Sequence, residues 1–384
     1  MPITSISELD LYNKTVLIRA DLNVPMNNGT ITSYTRIIAT LPTIKYALQK
    51  KAKVIIMSHL GRPKEGVINN KFSLYPIFQY LKKILPNNKI QFSNTYLNNK
   101  KIEFDEILVL ENVRFNIGEK KDSHTLAKKY ASLCDIFVMD AFGSSHRKQA
   151  STHNVIKYAK QSCAGLLLIN EINNLTKYLT NPIRPMIAII GGSKVSTKFD
   201  ILNSLSNLSD TVIVGGGIAN TFIAIDHNVG KSLHEPEFIT LAKSLRDKKN
   251  ILIPIDSHVI DYNNNTSSIK KISDIHQNEE IMDIGTESIK NITHVINKAK
   301  TILWNGPVGV FEISKFRTGT EKIATTIANS TAFSIAGGGD TLAVIDMFNI
   351  KDQISYISTG GGAFLEFIEG KKLPTIAMLE THKN

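Results

Sequence analysis

Val-Leu-Ile-Arg-Ala-Asp-Leu-Asn, residues 16–23, is a short apolar run that stops abruptly in charged and polar side chains. The pattern recurs three times before residue 150. Val-Ile-Ile-Met (54–57) runs into Ser58, His59, Gly61 and Arg62. Ile-Leu-Val-Leu (107–110) runs into Glu111, Asn112 and Arg114. Ile-Phe-Val-Met (136–139) runs into Asp140, Gly143, His146 and Arg147. Apolar runs of this length without alternation read as strands buried on both faces, as in a parallel sheet. Helical periodicity lies between them: Ile37, Ile38, Leu41, Ile44, Ala47 and Leu48, then Leu74, Ile77, Phe78, Leu81, Ile84 and Leu85. Strand–helix alternation predicts an open α/β sheet with its ligand site beyond the carboxyl ends of the strands.

The second half repeats the pattern with glycine in place of arginine. Residues 187–190 run into Gly191-Gly192-Ser193-Lys194, and 212–214 into Gly215-Gly216-Gly217. Residues 302–304 run into Asn305-Gly306-Pro307, 332–336 into Gly337-Gly338-Gly339-Asp340-Thr341, and 354–358 into Thr359-Gly360-Gly361-Gly362. Such junctions predict a second α/β sheet with a flat, backbone-lined edge, because glycine lets backbone N–H groups approach an anion or an aromatic ring. Residues 165–180 read as a connecting helix ended near Asn181-Pro182, and 261–271 as a polar surface loop. The expected fold is α/β: two Rossmann-like domains with parallel-sheet cores flanked by helices, joined by a helical hinge. Residues 1–165 form the first domain, 166–180 the hinge and 181–371 the second domain.

Charge is divided unevenly. The formal net charge is +11, but residues 1–165 hold 24 Lys and Arg against 12 Asp and Glu, while 166–384 hold 21 against 22. The basic half uses lysine for most of this and has five arginines: Arg19, Arg36, Arg62, Arg114 and Arg147. All but Arg36 follow predicted strand ends; Arg36 opens the first helix. The planar guanidinium suits carboxylate and phosphate better than a lysine does. Surface ion pairs would account for any one of these arginines, but not for their common placement.

Several classes are excluded. No apolar stretch nears the roughly 20 residues that cross a bilayer, and no signal-peptide pattern opens the chain. The expectation is a cytoplasmic protein with no membrane partner. Cys134 and Cys163 sit in or beside apolar segments and read as buried free thiols. No P-loop and no protein-kinase motif set is present. A nicotinamide-dependent dehydrogenase stays open, since glycine-rich α/β edges also bind dinucleotides. A nucleic-acid binder fits less well, because the motif arginines lie at strand ends and no aromatic stacking platform is evident.

The residues permit phosphoryl transfer. The arginines, with His59, His146, Asp21 and Asn23, suit a phosphorylated acidic small molecule. In Gly-Gly-Ser-Lys-Val-Ser-Thr-Lys (191–198), Lys194 and Lys198 would share a face at the positive end of a helix and call for a polyphosphate. Asp340 could hold Mg²⁺ together with phosphates. No general base stands out. A kinase acting on a hydroxyl normally uses one; one acting on an ionised carboxylate has no need of it.

The motifs jointly resemble the phosphoglycerate kinase family. They are Arg-Ala-Asp-Leu-Asn-Val-Pro (19–25), His-Leu-Gly-Arg (59–62), Glu-Asn-Val-Arg-Phe (111–115), Asp-Ala-Phe-Gly (140–143) with His146-Arg147, and Gly-Gly-Ser-Lys-Val-Ser-Thr-Lys (191–198). Trp-Asn-Gly-Pro-Val-Gly-Val-Phe-Glu (304–312), Gly-Gly-Gly-Asp-Thr (337–341) and Ser-Thr-Gly-Gly-Gly-Ala (358–363) complete the set.

The resemblance implies a glycolytic enzyme: reversible, Mg²⁺-dependent transfer between 1,3-bisphosphoglycerate and ADP, giving 3-phosphoglycerate and ATP. Asp21, Leu22, Asn23, Arg36, His59, Leu60, Gly61, Arg62, Arg114 and Arg147 would hold the triose acid, with Arg19 and His146 adding to the basic patch. Arg36 and Lys194 would be catalytic. Lys198, Glu312, Gly339, Asp340, Thr341 and Leu342 would bind nucleotide, and Asp340 the Mg²⁺. The resemblance further implies a monomer without a nucleic-acid partner, domains that close by hinge bending, and a C-terminal segment, about 372–384, returning to the first domain. Departures from the family pattern are Gln149 in place of a second histidine, Ser193 for alanine, Phe364 for serine and Thr375 for glycine.

Overall fold

The computed structural model describes residues 3–97, 102–248 and 250–382. Contacts divide the chain into two units: Met1–Asn173 with Lys372–Asn384, and Asn174–Lys371. Lys383 and Asn384, the end of the segment expected to return to the first domain, lie outside the described residues.

The first unit holds β1 (Thr15–Ala20), a short hairpin of β2 (Met26–Asn27) and β3 (Thr30–Ile31), then β4 (Lys53–Met57), β5 (Ile90–Ser93), β6 (Ile107–Leu110), β7 (Ile136–Asp140) and β8 (Gln161–Ala164). Apart from the hairpin these make one sheet, β5-β6-β4-β1-β7-β8, parallel throughout. Val16, Leu17 and Ile18 are fully buried, which explains the unbroken apolar run: both faces of the central strand are covered. Burying each such side chain contributes roughly 1.5–3 kcal/mol.

Helices α1 (Thr35–Gln49), α2 (Tyr75–Ile84), α3 (His124–Ala131) and α4 (Asn154–Tyr158) cover the sheet. The apolar stripe of α1 is narrower than its sequence suggests. Ile38 is 54% exposed, and Thr40 and Thr43 are buried in its stead. The buried Thr43 Oγ1 accepts the Leu166 N–H at 3.1 Å. From β1 the chain moves to β4 on one side and later returns to β7 on the other. This reversal opens a crevice beyond their carboxyl ends.

Helix α5 (Leu166–Thr180) carries the chain across the division between units. The second unit holds β9 (Met186–Ile190), β10 (Thr211–Val214), β11 (Ile251–Leu252), β12 (Asp256–Asp261), β13 (Thr266–Lys271), β14 (Glu279–Ile284), β15 (Thr301–Asn305), β16 (Phe333–Ala336) and β17 (Tyr356–Ile357). Its main sheet, β11-β10-β9-β15-β16-β17, is also parallel, and its strand order reverses at β9 and β15. Helices α6 (Phe199–Leu208), α7 (Gly216–Ile223), α8 (Ile239–Lys248), α9 (Thr286–Lys298), α10 (Thr318–Asn329), α11 (Gly339–Met347) and α12 (Gly361–Ile368) complete it.

The expected loop at 261–271 is corrected. Residues 266–271 are β13, an outer strand of an antiparallel sheet β13-β12-β14, and the asparagine cluster makes only the hairpin turn, with Asn265 at φ 49°. An antiparallel strand can leave a face in water, so it needs no apolar run. Lys270 ties it to Glu279 of β14 at 2.6 Å.

The chain ends in α13 (Pro374–Thr381), which packs on α4 and β8 in the first unit. The Thr375 N–H donates to the Ser145 carbonyl at 3.2 Å, beside His146 and Arg147.

Candidate active site

In the first unit, β1, the first turn of α1 and the loops after β4, β6 and β7 bring the arginines together; Arg19, expected just past the strand end, is still within β1, paired with Met57 and Met139. Arg36, in the first turn of α1, donates through Nη1 to Asp21 Oδ1 at 3.1 Å and to the Asn23 carbonyl at 3.0 Å. Asn23 Oδ1 accepts the Gly61 N–H at 2.8 Å, which joins the β1 and β4 loops. Arg114 is buried and donates to the Gly61 carbonyl. Its backbone N–H goes to Asn112 Oδ1 at 3.0 Å, while Asn112 Nδ2 donates to the Leu60 carbonyl at 2.7 Å. Leu22 and Leu60 are buried, and the Leu22 N–H is already given to Ser58 Oγ at 2.9 Å. Arg62 is exposed.

The electrostatics record the convergence. Burial, then Arg147, Arg19 and Arg62, push the Arg114 guanidinium down to about 10. His59 is held well below the ordinary imidazole value by burial and by Arg19, Arg114, Arg147 and Arg36. It is therefore neutral at physiological pH. Arg19 Nη2 lies 3.2 Å from His59 Nδ1; arginine can only donate, so Nδ1 accepts and the ring proton sits on Nε2. His146 is pushed down to about 4 by burial and Arg147, whose Nε donates to His146 Nε2 at 3.1 Å. Five guanidinium groups with few counter-charges make a site for a multiply charged anion.

Two motif carboxylates prove to be caps. Glu111 accepts from Ser73 Oγ at 2.7 Å and from the Leu74 and Asn112 N–H groups, fixing the start of α2. Asp140, pushed up to about 7 by burial, accepts the Leu167 and Leu168 N–H groups at the start of α5.

In the second unit a cavity of about 340 Å³ lies beyond the strand ends, among Gly192, Gly216, Leu233, Met282, Val310 and Phe311, with Glu312 and Asp340 on its wall. It is apolar with a charged edge, as a flat heterocycle bearing phosphates requires. Asp340 and Gly339 are exposed in the first turn of α11. Thr341 turns inward: its Oγ1 accepts the Gly306 N–H and donates to the Gly337 carbonyl. Leu342 is half-buried.

The lysine reading needs correction. Lys194 and Lys198 share no helical face, because α6 begins only at Phe199. Lys198 Nζ is drawn inward onto the Gly191 carbonyl at 2.6 Å and Asn305 Oδ1 at 2.7 Å. Burial pushes it down to about 8, and Asp340 partly offsets this. Lys194 is exposed. The glycine reading also narrows. A methyl at Gly215 would lie 2.5 Å from Val308 Cα, and one at Gly216 would lie 2.9 Å from the Gly192 carbonyl oxygen. These glycines admit the protein's own backbone, whereas Gly339 and Gly361 face open space.

Sequence reasoning missed Asn112, Ser58, Asn305 and the pair Glu119–Ser151. Ser58, Asn112 and Asn305 stand at strand ends that the sequence marks, but their partners, up to about a hundred residues away, leave no local trace, and nothing local marks Glu119 or Ser151.

The chain is similar to known proteins over its full length. A family model described as phosphoglycerate kinase matches residues 6–371. The phosphoglycerate kinase of Buchnera aphidicola subsp. Acyrthosiphon pisum (strain 5A) is 64% identical over 382 residues, covering 99% of this chain and 98% of that protein. The solved phosphoglycerate kinase of Coxiella burnetii superposes with a TM-score of 0.92 at 48% identity, covering all of both chains. That of Pyrococcus horikoshii OT3 gives 0.85 at 30% identity, covering 98% of each.

Proposed function

The chain belongs to the phosphoglycerate kinase family, and from that premise we propose which of its residues carry the reaction. The activity is that of a phosphotransferase, moving a phosphoryl group between 1,3-bisphosphoglycerate and ADP to give 3-phosphoglycerate and ATP, in glycolysis. The triose acid binds the basic patch of the first unit. The observation that carries this is the convergence of Arg19, Arg36, Arg62, Arg114 and Arg147, each felt electrostatically by His59 or Arg114.

Arg62, Arg114, Arg147 and the His59 Nε2–H bind the anionic groups, while Asp21 and Asn23 meet hydroxyls. Arg36 stands half-exposed, with its Nη1 committed to Asp21 and Asn23. That bracing fixes its direction, so it can meet charge developing on the transferred group without reorganising. The nucleotide occupies the cavity of the second unit, with Glu312 at the ribose, Lys198 and the first turn of α11 at the phosphates, and Lys194 at the transferring group. The acceptor carboxylate is already ionised, so alignment and charge neutralisation suffice.

Asp340 fits Mg²⁺. Its carboxylate is exposed beside the cavity, and hard oxygen donors from one carboxylate plus phosphates suit that ion. The ion would supply charge neutralisation on the nucleotide phosphates. Asp340→Asn should raise the Mg²⁺ concentration for half-maximal activity about tenfold or more; an unchanged Mg²⁺ titration would remove this assignment. The reading includes a monomer in the cytoplasm acting on soluble small molecules. Both cysteines are buried free thiols, as a reducing compartment allows, and no described helix is long and apolar enough to cross a membrane.

Arg62 tests the division of sites. It is exposed, so Arg62→Ala should leave the fold intact. Loss of a charge-assisted bond of about 1.5–3 kcal/mol should raise KM for 3-phosphoglycerate about tenfold to a hundredfold. KM for ATP should stay put. Equal changes in both would argue that the patch is not the triose-acid site.

A further inference from the structure

We propose that Glu119 and Ser151 are positioning residues for phosphoglycerate binding, acting together to hold Arg19 against His59; this rests on reading the basic patch as the phosphoglycerate site. Arg19 has no exposed surface, so it cannot itself touch a ligand. What it can do is orient. Its Nη1 donates to the Ala20 carbonyl at 2.6 Å, Nη2 lies against His59 Nδ1 at 3.2 Å, and Nε donates to Ser151 Oγ at 2.9 Å.

The Ser151 hydroxyl must therefore accept from Arg19, and its own proton has to go elsewhere. It goes to Glu119 Oε1, 2.5 Å away. Glu119 Oε2 accepts the Ser151 N–H at 3.2 Å and the Tyr130 hydroxyl at 3.4 Å. One carboxylate thus grips both polar groups of Ser151. The Glu119 carbonyl also accepts the Ala150 N–H at 3.0 Å, so the loop just beyond Arg147 is tied down by the same residue. Glu119, Ser151 and Arg19 are all fully buried, and each bond is sheltered from water.

Charge makes the same demand. Glu119 and Asp21 are the carboxylates that offset the buried Arg19, while Arg147 opposes it; burial pushes Glu119 itself up to about 7, and Ser151 and Arg19 draw it back toward the ionised form. With Glu119 neutral, Arg19 would repel Arg114 and Arg147 with less compensation. Its guanidinium would lose the hydroxyl orientation that aims it at His59. His59 Nε2–H would then no longer be fixed toward the ligand. The role is substrate-selective, because none of the residues in this relay lines the cavity of the second unit.

Glu119→Gln keeps the shape, removes the charge and sets an amide N–H group against donors. Ser151→Ala keeps the carboxylate and cuts the relay. Steady-state kinetics on the full chain should show KM for 3-phosphoglycerate raised tenfold or more in each, with KM for ATP within twofold of the parent. The double variant should be no worse than the poorer single, since both changes break one chain of bonds. Should Glu119→Gln fold poorly, Ser151→Ala carries the test alone. A fall in Tm with both KM values unchanged would make the cluster mere scaffolding and overturn the proposal. Arg62→Ala, measured alongside, separates the two readings. If it raises KM for phosphoglycerate and Ser151→Ala does not, only the positioning role fails; if it also leaves that KM unchanged, the site reading fails and this one with it.

Discussion

Lys194→Ala will lower kcat by about 10²–10³-fold, a loss of roughly 2.7–4 kcal/mol of transition-state stabilisation, the size found when a group that meets developing charge is removed. The loop around Lys194 is what makes this a clean experiment. Val195 is fully buried, Ser196 binds Glu235 through its N–H at 2.7 Å and its hydroxyl at 2.6 Å, and Thr197 Oγ1 donates to the Lys194 carbonyl at 3.0 Å. None of these hydrogen bonds uses the Lys194 ammonium, which is exposed and acts on Glu235 only through its charge. Truncation should therefore remove the charge and leave the loop in place, with stability within about 0.5 kcal/mol of the parent. Lys198→Ala should behave otherwise. Its ammonium bridges Gly191 and Asn305, so its loss should lower Tm as well as activity. A Lys194→Ala enzyme with kcat within twofold of the parent, its fold intact by circular dichroism, would end the assignment.

The contrast between these lysines shows where sequence becomes illegible. Strand ends are readable because a strand buried on both faces is a short unbroken apolar run, and its end is marked by the first charge. Arg19 and Arg62 announce themselves in this way, and Arg114 and Arg147 follow three and seven residues behind the first charges Glu111 and Asp140. The meaning of a charge is not readable from such a pattern, because it depends on partners far along the chain. Glu111 and Asp140 stand in motifs that look chemical, yet each caps a helix. Glu119 carries no signal at all; its partner Ser151 is 32 residues away. The pair of lysines four apart invites a helical face, but Lys198 precedes the first turn of α6 and points inward. Residues 266–271 mislead for a different reason. Half-wet antiparallel strands need no apolar run, so polar composition cannot separate them from loop.

Gly191→Ala will destabilise the second unit by about 3 kcal/mol or more, lowering its Tm by roughly 6–12 °C for a unit of about 200 residues. The added methyl would overlap the Pro307 carbonyl oxygen and lie 2.6 Å from its carbon and 2.8 Å from the Gly306 carbonyl carbon. These are backbone atoms, so no rotamer change relieves the clash. Gly191 N–H donates to the Asn305 carbonyl at 3.0 Å and its own carbonyl receives Lys198 Nζ, so the residue cannot swing away without breaking both. The two strand-end loops at β9 and β15 meet here, at the reversal of the sheet, and Gly192 and Pro307 beside them line the cavity of the second unit. Gly361→Ala supplies the matching comparison. Nothing lies within 4 Å of its added methyl, and the residue opens α12. Alanine there should be neutral or stabilising by about 0.4–1 kcal/mol, through the reduced freedom of the unfolded chain. Equal Tm values for the two variants would mean that the glycines of this edge serve flexibility or ligand approach, and not the packing of one loop against the other.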